Sequence, residues 1–175
     1  MERNPWGDGT PWKNSTAFFT YLRGCLRKAW ANNPIKHDLI KSKRYQIANP
    51  NPKGKKPTVW GALCEMCGLE YPLAKIQVDH ITPAGKLNKT EDIQGFVERL
   101  LYVTEEDLRL VCVDCNASLA YADKHSITFE EALTTKQAIA LCKENKDKQW
   151  LIDKGITPAS SQIKRRQQII EELSK

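Results

Sequence analysis

The chain has 175 residues, 41% hydrophobic and 27% charged, a composition ordinary for a water-soluble fold of one domain with extensions. No apolar stretch approaches the ~20 residues needed to span a bilayer, and Arg3, Pro5, Trp6 and Gly7 at the N-terminus lack the apolar run of a secretory leader, so no membrane partner and a cytoplasmic location are expected. Net charge is +6 but lopsided: residues 1–63 carry 12 Lys/Arg against 3 Asp/Glu and residues 64–175 carry 15 against 18, which points to a polyanion, nucleic acid first, or, alternatively, to a solvated lysine-rich surface.

Residues 1–13, rich in Pro, Gly and Trp, read as an irregular arm. An N-cap at Asn14 or Ser15 predicts a helix to about Ala31, with Phe18, Leu22, Cys25, Leu26, Ala29 and Trp30 on one face. Arg23, Arg27 and Lys28 fall largely on the other side and are candidate nucleic-acid contacts. Asn32-Asn33-Pro34 stops the helix, and a second short one is expected from Lys36 to Tyr45. Asn49-Pro50-Asn51-Pro52-Lys53-Gly54-Lys55-Lys56-Pro57 has the composition of an extended linker. Its Lys53, Lys55 and Lys56 either follow a phosphate backbone or simply solvate a connection. These features divide the chain into a basic helical region over 1–58, a core over 59–127 and a helical extension over 128–175.

Within the core, Ile76 and Val78 suit one strand, and Leu108, Leu110 and Val111 suit its partner. Between them a helix is predicted over Thr90–Val103, with Ile93, Phe96, Val97, Leu100 and Leu101 as its apolar face. Residues from Asn116 to about Ala122 begin another helix. The expected class is therefore α+β, mostly helical, with two strands and a helix around a metal (a ββα-metal core) flanked by N- and C-terminal helices. Toward the C-terminus, Thr128-Phe129-Glu130-Glu131 fits a capping box. Gly155 ends a helix or helix pair containing Ala138, Leu141 and Trp150. A last helix from about Ser160 carries Ile163, Ile169, Ile170 and Leu173, and its Lys164-Arg165-Arg166 run is either an exposed face or a DNA-backbone contact.

Two Cys-x-x-Cys pairs, Cys64/Cys67 and Cys112/Cys115, bracket the dipeptide Asp79-His80. Two such turns close a tetrahedron of thiolates, the set for a structural Zn2+ with no open position. In a reducing compartment paired cysteines favour metal over disulfide. The remaining Cys25 and Cys142 are expected to be buried, inert thiols. Neighbouring strand residues point to opposite faces, so Asp79 and His80 can serve one site only where the strand bends, which Pro83 and Gly85 permit. Asn116 either caps its helix or supplies a carbonyl oxygen. With Asp79 it would give the two hard oxygen ligands that suit Mg2+ or Mn2+.

The order Cys-x-x-Cys, Val78-Asp79-His80-Ile81, Asp107-Leu108, Leu110-Val111-Cys112 and Cys-x-x-Cys-Asn resembles the HNH endonucleases, the His-Me finger nucleases. Phe18-Phe19-Thr20-Tyr21-Leu22-Arg23, Ala29-Trp30 and Gly95-Phe96-Val97-Glu98-Arg99-Leu100 are similar to segments of bacteriophage HNH proteins, a group that includes homing endonucleases. The resemblance covers roughly residues 15–125. The first signature His falls on His80, the middle position on Asp107 and the last on Asn116. The resemblance implies hydrolysis of phosphodiester bonds in double-stranded DNA to 5′-phosphate and 3′-hydroxyl ends by a monomer or weak dimer, in a host cytoplasm if the gene is a phage's. His80 would be the general base, Asp79 and Asn116 the ligands of a catalytic Mg2+ or Mn2+, and Asp107 the residue that locks the loop behind the histidine. Two positions depart from the pattern. Asp107 stands where Asn is commonest, and Leu119 stands where many relatives carry Lys, leaving Lys86, Lys89 or Lys124 to hold phosphate. A zinc-ribbon module that binds nucleic acid without catalysis explains the cysteines and the charge equally well, but not Asp79, His80 and Asn116. A scaffold or packaging accessory retaining a nuclease fold is a third reading.

Overall fold

The structure, a computed structural model, describes residues 4–51 and 53–175, so Arg3 of the arm and Pro52 of the basic segment lie outside the described residues. The chain is α+β with helices predominating over small sheets. It forms two compact units, Met1–Val113 and Asp114–Lys175. No helix among the described residues is long and apolar enough to cross a membrane.

In the first unit α1 spans Ser15–Ala31 and starts where the Asn14 side chain accepts the Ala17 N–H. It packs along Phe18, Leu22, Leu26 and Trp30 of the predicted face, with Phe19 the residue most deeply buried. Ala29 and Cys25 are exposed, and the expectation of a buried Cys25 is corrected. Helix α2, Pro34–Lys43, has Pro34 in its first turn, where the missing N–H costs nothing, and an Asn33 cap. It stops short of Tyr45 because Tyr45 opens a strand, β1 (Tyr45–Ala48). β1 pairs antiparallel with β2 (Thr58–Leu63), which pairs with β3 (Glu70–Pro72). The segment between β1 and β2 is therefore closed into a hairpin by the pairing of its ends instead of forming an extended linker. Asn49 donates its N–H to the Pro57 carbonyl at 2.9 Å and its side-chain amide to the Lys56 carbonyl at 2.7 Å. Gly61 in β2 has no room for a side chain, since a Cβ there would lie 2.5 Å from Ile47 Cδ1 and 2.8 Å from the Tyr71 carbonyl.

The predicted strand pair is present as β4 (Ile76–His80) and β5 (Leu108–Cys112), antiparallel. Its register sets Val78 opposite Leu110, Asp79 opposite Arg109 and His80 opposite Leu108. Helix α3, Asp92–Leu101, lies between them in sequence and buries Phe96 and Leu100. The unit has two apolar clusters. Phe19, Ala84, Leu87, Phe96 and Leu100 form one, and Leu39, Ala62, Ile76, Leu108 and Leu110 the other, with Trp30 packed against both. Helix α4, Val113–His125, follows β5 with no intervening loop.

In the second unit the Thr128 capping box starts α5 (Phe129–Lys143), and α6 (Asp147–Asp153) ends before Gly155 at φ 73°. Ser161 caps α7 (Gln162–Leu173). Ala138, Cys142, Leu151 and Ile169 form the core. The Lys164-Arg165-Arg166 run is not a uniform exposed face. Arg165 is 7% exposed and Asp147 3%, with Arg165 Nε 2.7 Å from Asp147 Oδ2 and Nη1 donating to the Ala159 and Ser160 carbonyls. Burial works to raise the Asp147 pKa, but the guanidinium outweighs it and holds the carboxyl below its usual range. A buried charge needs such a partner, so Arg165 is committed to the fold.

Candidate metal centre and histidine site

The Sγ atoms of Cys64, Cys67, Cys112 and Cys115 all lie within 4.8 Å of one another, a group that could hold a metal ion. Tetrahedral zinc with bonds of about 2.3 Å separates its sulfurs by roughly 3.8 Å, a spacing compatible with this cluster. Soft thiolates suit zinc and not Mg2+. The first Cys pair is folded by its own backbone. The Gly68 N–H returns to the Cys64 carbonyl at 2.9 Å, Gly68 has φ 68°, and the Cys64 N–H donates to the Leu69 carbonyl at 2.9 Å. Glu65 ties this turn to β5: its N–H donates to the Leu110 carbonyl at 2.8 Å, and its carboxylate accepts the Leu110 N–H at 2.9 Å and Lys43 Nζ at 2.8 Å. Burial pushes the Cys64 thiol up, yet the N–H groups of Cys112, Cys67 and Met66 prevail and bring its pKa down to about 7. The Cys112 N–H lies 3.2 Å from Cys64 Sγ. Backbone donors aimed at sulfur favour the thiolate, which is the ligating form. Among the described residues no other group of three or more His, Cys, Asp or Glu gathers closely enough to share an ion.

His80 ends β4, half-buried, with its ring 4.3 Å from that of Trp30 at an interplanar angle of 48°. Its Nε2 lies 3.1 Å from the Leu100 carbonyl. A carbonyl only accepts, so Nε2 carries the hydrogen and Nδ1 of the neutral ring is left as the acceptor. Burial pushes the imidazole below its ordinary pKa against the opposing pull of the Leu100 carbonyl and Asp79, and Arg27 deepens the depression. A cleft of about 220 Å³ borders the ring, lined also by Thr82, Arg99, Tyr102 and Asp107.

Asp107 closes a short 3-10 turn ahead of β5. Its carboxylate accepts the Thr104 N–H at 2.7 Å and hydroxyl at 2.9 Å, which lowers its pKa. Its carbonyl accepts the Ile81 N–H at 2.9 Å, fixing the residue that follows His80. Asp79 is paired with a residue that sequence reasoning passed over: Arg109 Nε and Nη2 reach Asp79 Oδ2 at 2.9 and 2.8 Å. Register was the available signal, because once Val78 faces Leu110, Asp79 must face Arg109. Asn116 lies in the first turn of α4, which begins at Val113, so it is not the helix cap. The basic candidates fall on two elements. Arg27 and Lys28 are exposed on α1 beside a half-buried Arg23, and Lys53, Lys55 and Lys56 are exposed in the β1–β2 hairpin. The chain matches no protein-family model, no curated protein and no solved structure.

Proposed function

We propose that the chain is a metal-dependent DNA endonuclease of the HNH type. The observation that carries this reading is His80: a half-buried imidazole at a strand end, with Nε2 donating to a main-chain carbonyl and Nδ1 left to accept a proton. The antiparallel β4–β5 pair, the four-cysteine cluster and the direct passage from β5 into α4 support a ββα-metal core around it.

Zinc, held by four sulfurs with no open position, is structural in this scheme. Asp79 and Asn116 would hold Mg2+ or Mn2+, since both Arg109 contacts fall on Asp79 Oδ2 and leave Oδ1 for a cation. Such an ion would neutralise charge on a phosphate oxygen and on the departing 3′ oxygen. His80 Nδ1 takes a proton from the attacking water. Trp30 and the Leu100 carbonyl hold the ring, and the Asp107 carbonyl holds the chain just after it. Arg109 orients Asp79 and supplies a cation where Leu119 replaces the family's lysine. A single site nicks one strand, and cutting both needs a second copy or a second engagement.

Supercoiled plasmid incubated with Mg2+, Mn2+ or no added metal tests this. Wild type should give relaxed or linear DNA only with metal. His80→Ala should lose about 10²–10⁴-fold of that rate, the usual worth of a general base, while still retarding the plasmid. Retardation without cleavage under any metal would leave the chain a zinc-ribbon binding module.

A further inference from the structure

The β1–β2 hairpin has features that neither the zinc cluster nor the His80 cleft uses. Trp60 stands in the middle of β2 and is 46% exposed, although the Arg44 guanidinium lies 4.5 Å from its ring centroid. Trp60 faces outward from the strand, which leaves its indole half in water and a flat aromatic surface open to a ligand. Trp60 pairs across the ladder with Gln46, which places both on one face of the sheet. They border an open cleft of about 410 Å³, whose other walls are Lys56, Pro57, Thr58 and Val59. Beyond it the hairpin loop carries Lys53 and Lys55, both exposed. Residues 39–63 hold six Lys/Arg and no Asp or Glu. The carboxylates that follow, Glu65 and Glu70, are engaged by Lys43 and Tyr45 at 2.8 Å each.

We propose that this cleft is a binding site for single-stranded nucleic acid, in which an unpaired base stacks on Trp60 while Lys56 and the hairpin lysines take the flanking phosphates. Lysines alone would serve a duplex as well. The indole distinguishes the two, because base faces inside a duplex are already stacked and only an unpaired base offers one. Gln46 supplies an amide, donor and acceptor together, to the edge of the stacked base. Arg44 keeps the indole plane in place and adds positive charge beside it. The site deepens the nuclease reading, on which it rests, by naming the form of nucleic acid that the basic front half takes, such as the displaced or frayed strand near a cut.

Fluorescence anisotropy of a labelled oligothymidine of about 15 nucleotides, without added Mg2+ or Mn2+, reads this site apart from cleavage. The wild type should bind the single strand more tightly than a duplex of equal length at the same salt. Trp60→Ala should weaken single-strand binding by about tenfold or more, the scale of one base stacked on one aromatic ring, and Trp60→Phe should recover most of it. Lys56→Gln should reduce the salt slope by about 0.7, one phosphate's worth on a single strand. Unchanged affinity in Trp60→Ala, or duplex preferred and insensitive to Trp60, overturns the proposal and makes this face a duplex or protein contact. If Trp60→Ala fails to fold, the double variant Trp60→Phe with Lys56→Gln decides on the slope, and a wild-type slope overturns it. Absence of plasmid cleavage, in contrast, bears on the nuclease reading and leaves this binding result standing.

Discussion

His80 sits between a carbonyl that favours its proton on Nε2 and a tryptophan face that excludes water from the ring, and the second influence prevails. Its titration, followed by the ring-proton NMR signal that His80→Gln removes, should therefore have its midpoint below the ordinary 6.5. A cleavage rate that depends on neutral His80 should fall as pH drops through that depressed value and not at 6.5. The same group links to stability with a definite sign. Unfolded, it binds its proton near 6.5, but folded it resists until lower pH, so its contribution is whole above about 6.5 and is lost as pH falls below. A midpoint at or above 6.5 would mean the ring is not buried as described. At this scale the Asn14 and Thr128 caps were readable because their partners lie three residues away, and the four cysteines because each Cys-x-x-Cys spacing is itself the signal. Arg109 and Arg165 were not, because each is defined by a partner 30 or 18 residues away that only register or helix packing brings near.

β4 and β5 announce themselves by alternation, Ile76 and Val78 against Leu108 and Leu110. β1 and β2 do not. β1 has only four residues, Gly61 breaks the apolar pattern of β2, and the Pro-, Gly- and Lys-rich loop between them has the composition of a linker whether or not its ends are paired. The three-stranded sheet was illegible for that reason, while α5 with its capping box was plain. Cys112 belongs to both levels, as the last residue of β5 and a member of the sulfur cluster. Elemental analysis of the purified chain should find one zinc per molecule. Cys112→Ser should lose the zinc and lower the thermal midpoint by about 4–8 °C, the shift produced by a loss of ~2 kcal/mol in a chain of this size. Retention of a full equivalent of zinc by that variant would remove Cys112 from the ligand set.

Charge belongs to the whole molecule. Most of the 12 Lys/Arg that outnumber 3 Asp/Glu in residues 1–63 lie on α1, α2 and the β1–β2 segment, so the proposed binding to nucleic acid should weaken steeply with added salt. Replacing Lys53, Lys55 and Lys56 together by Gln should flatten the plot of log affinity against log salt by about 2–3, close to one unit for each phosphate no longer neutralised. An unchanged slope would remove the hairpin loop from the interface. The +9 balance of the front half was visible in the sequence. The way it is parcelled among elements was not, since lysine count carries no information about which backbone segments pair. Arg165 makes the complementary point, a cation within a basic run that counts toward net charge yet is spent inside the second unit.

Cys112 follows Cys64 by 48 residues, and Cys115 follows Cys67 by the same interval. A ribosome adding about 5–20 residues per second needs some 2–10 s to cross that gap. Throughout it the nascent chain carries half a ligand set: two thiols, with the strand that should brace their turn through Glu65 not yet made. A metal that needs all four sulfurs would therefore reach its site only after that interval, and the first two thiols would have to stay reduced until then.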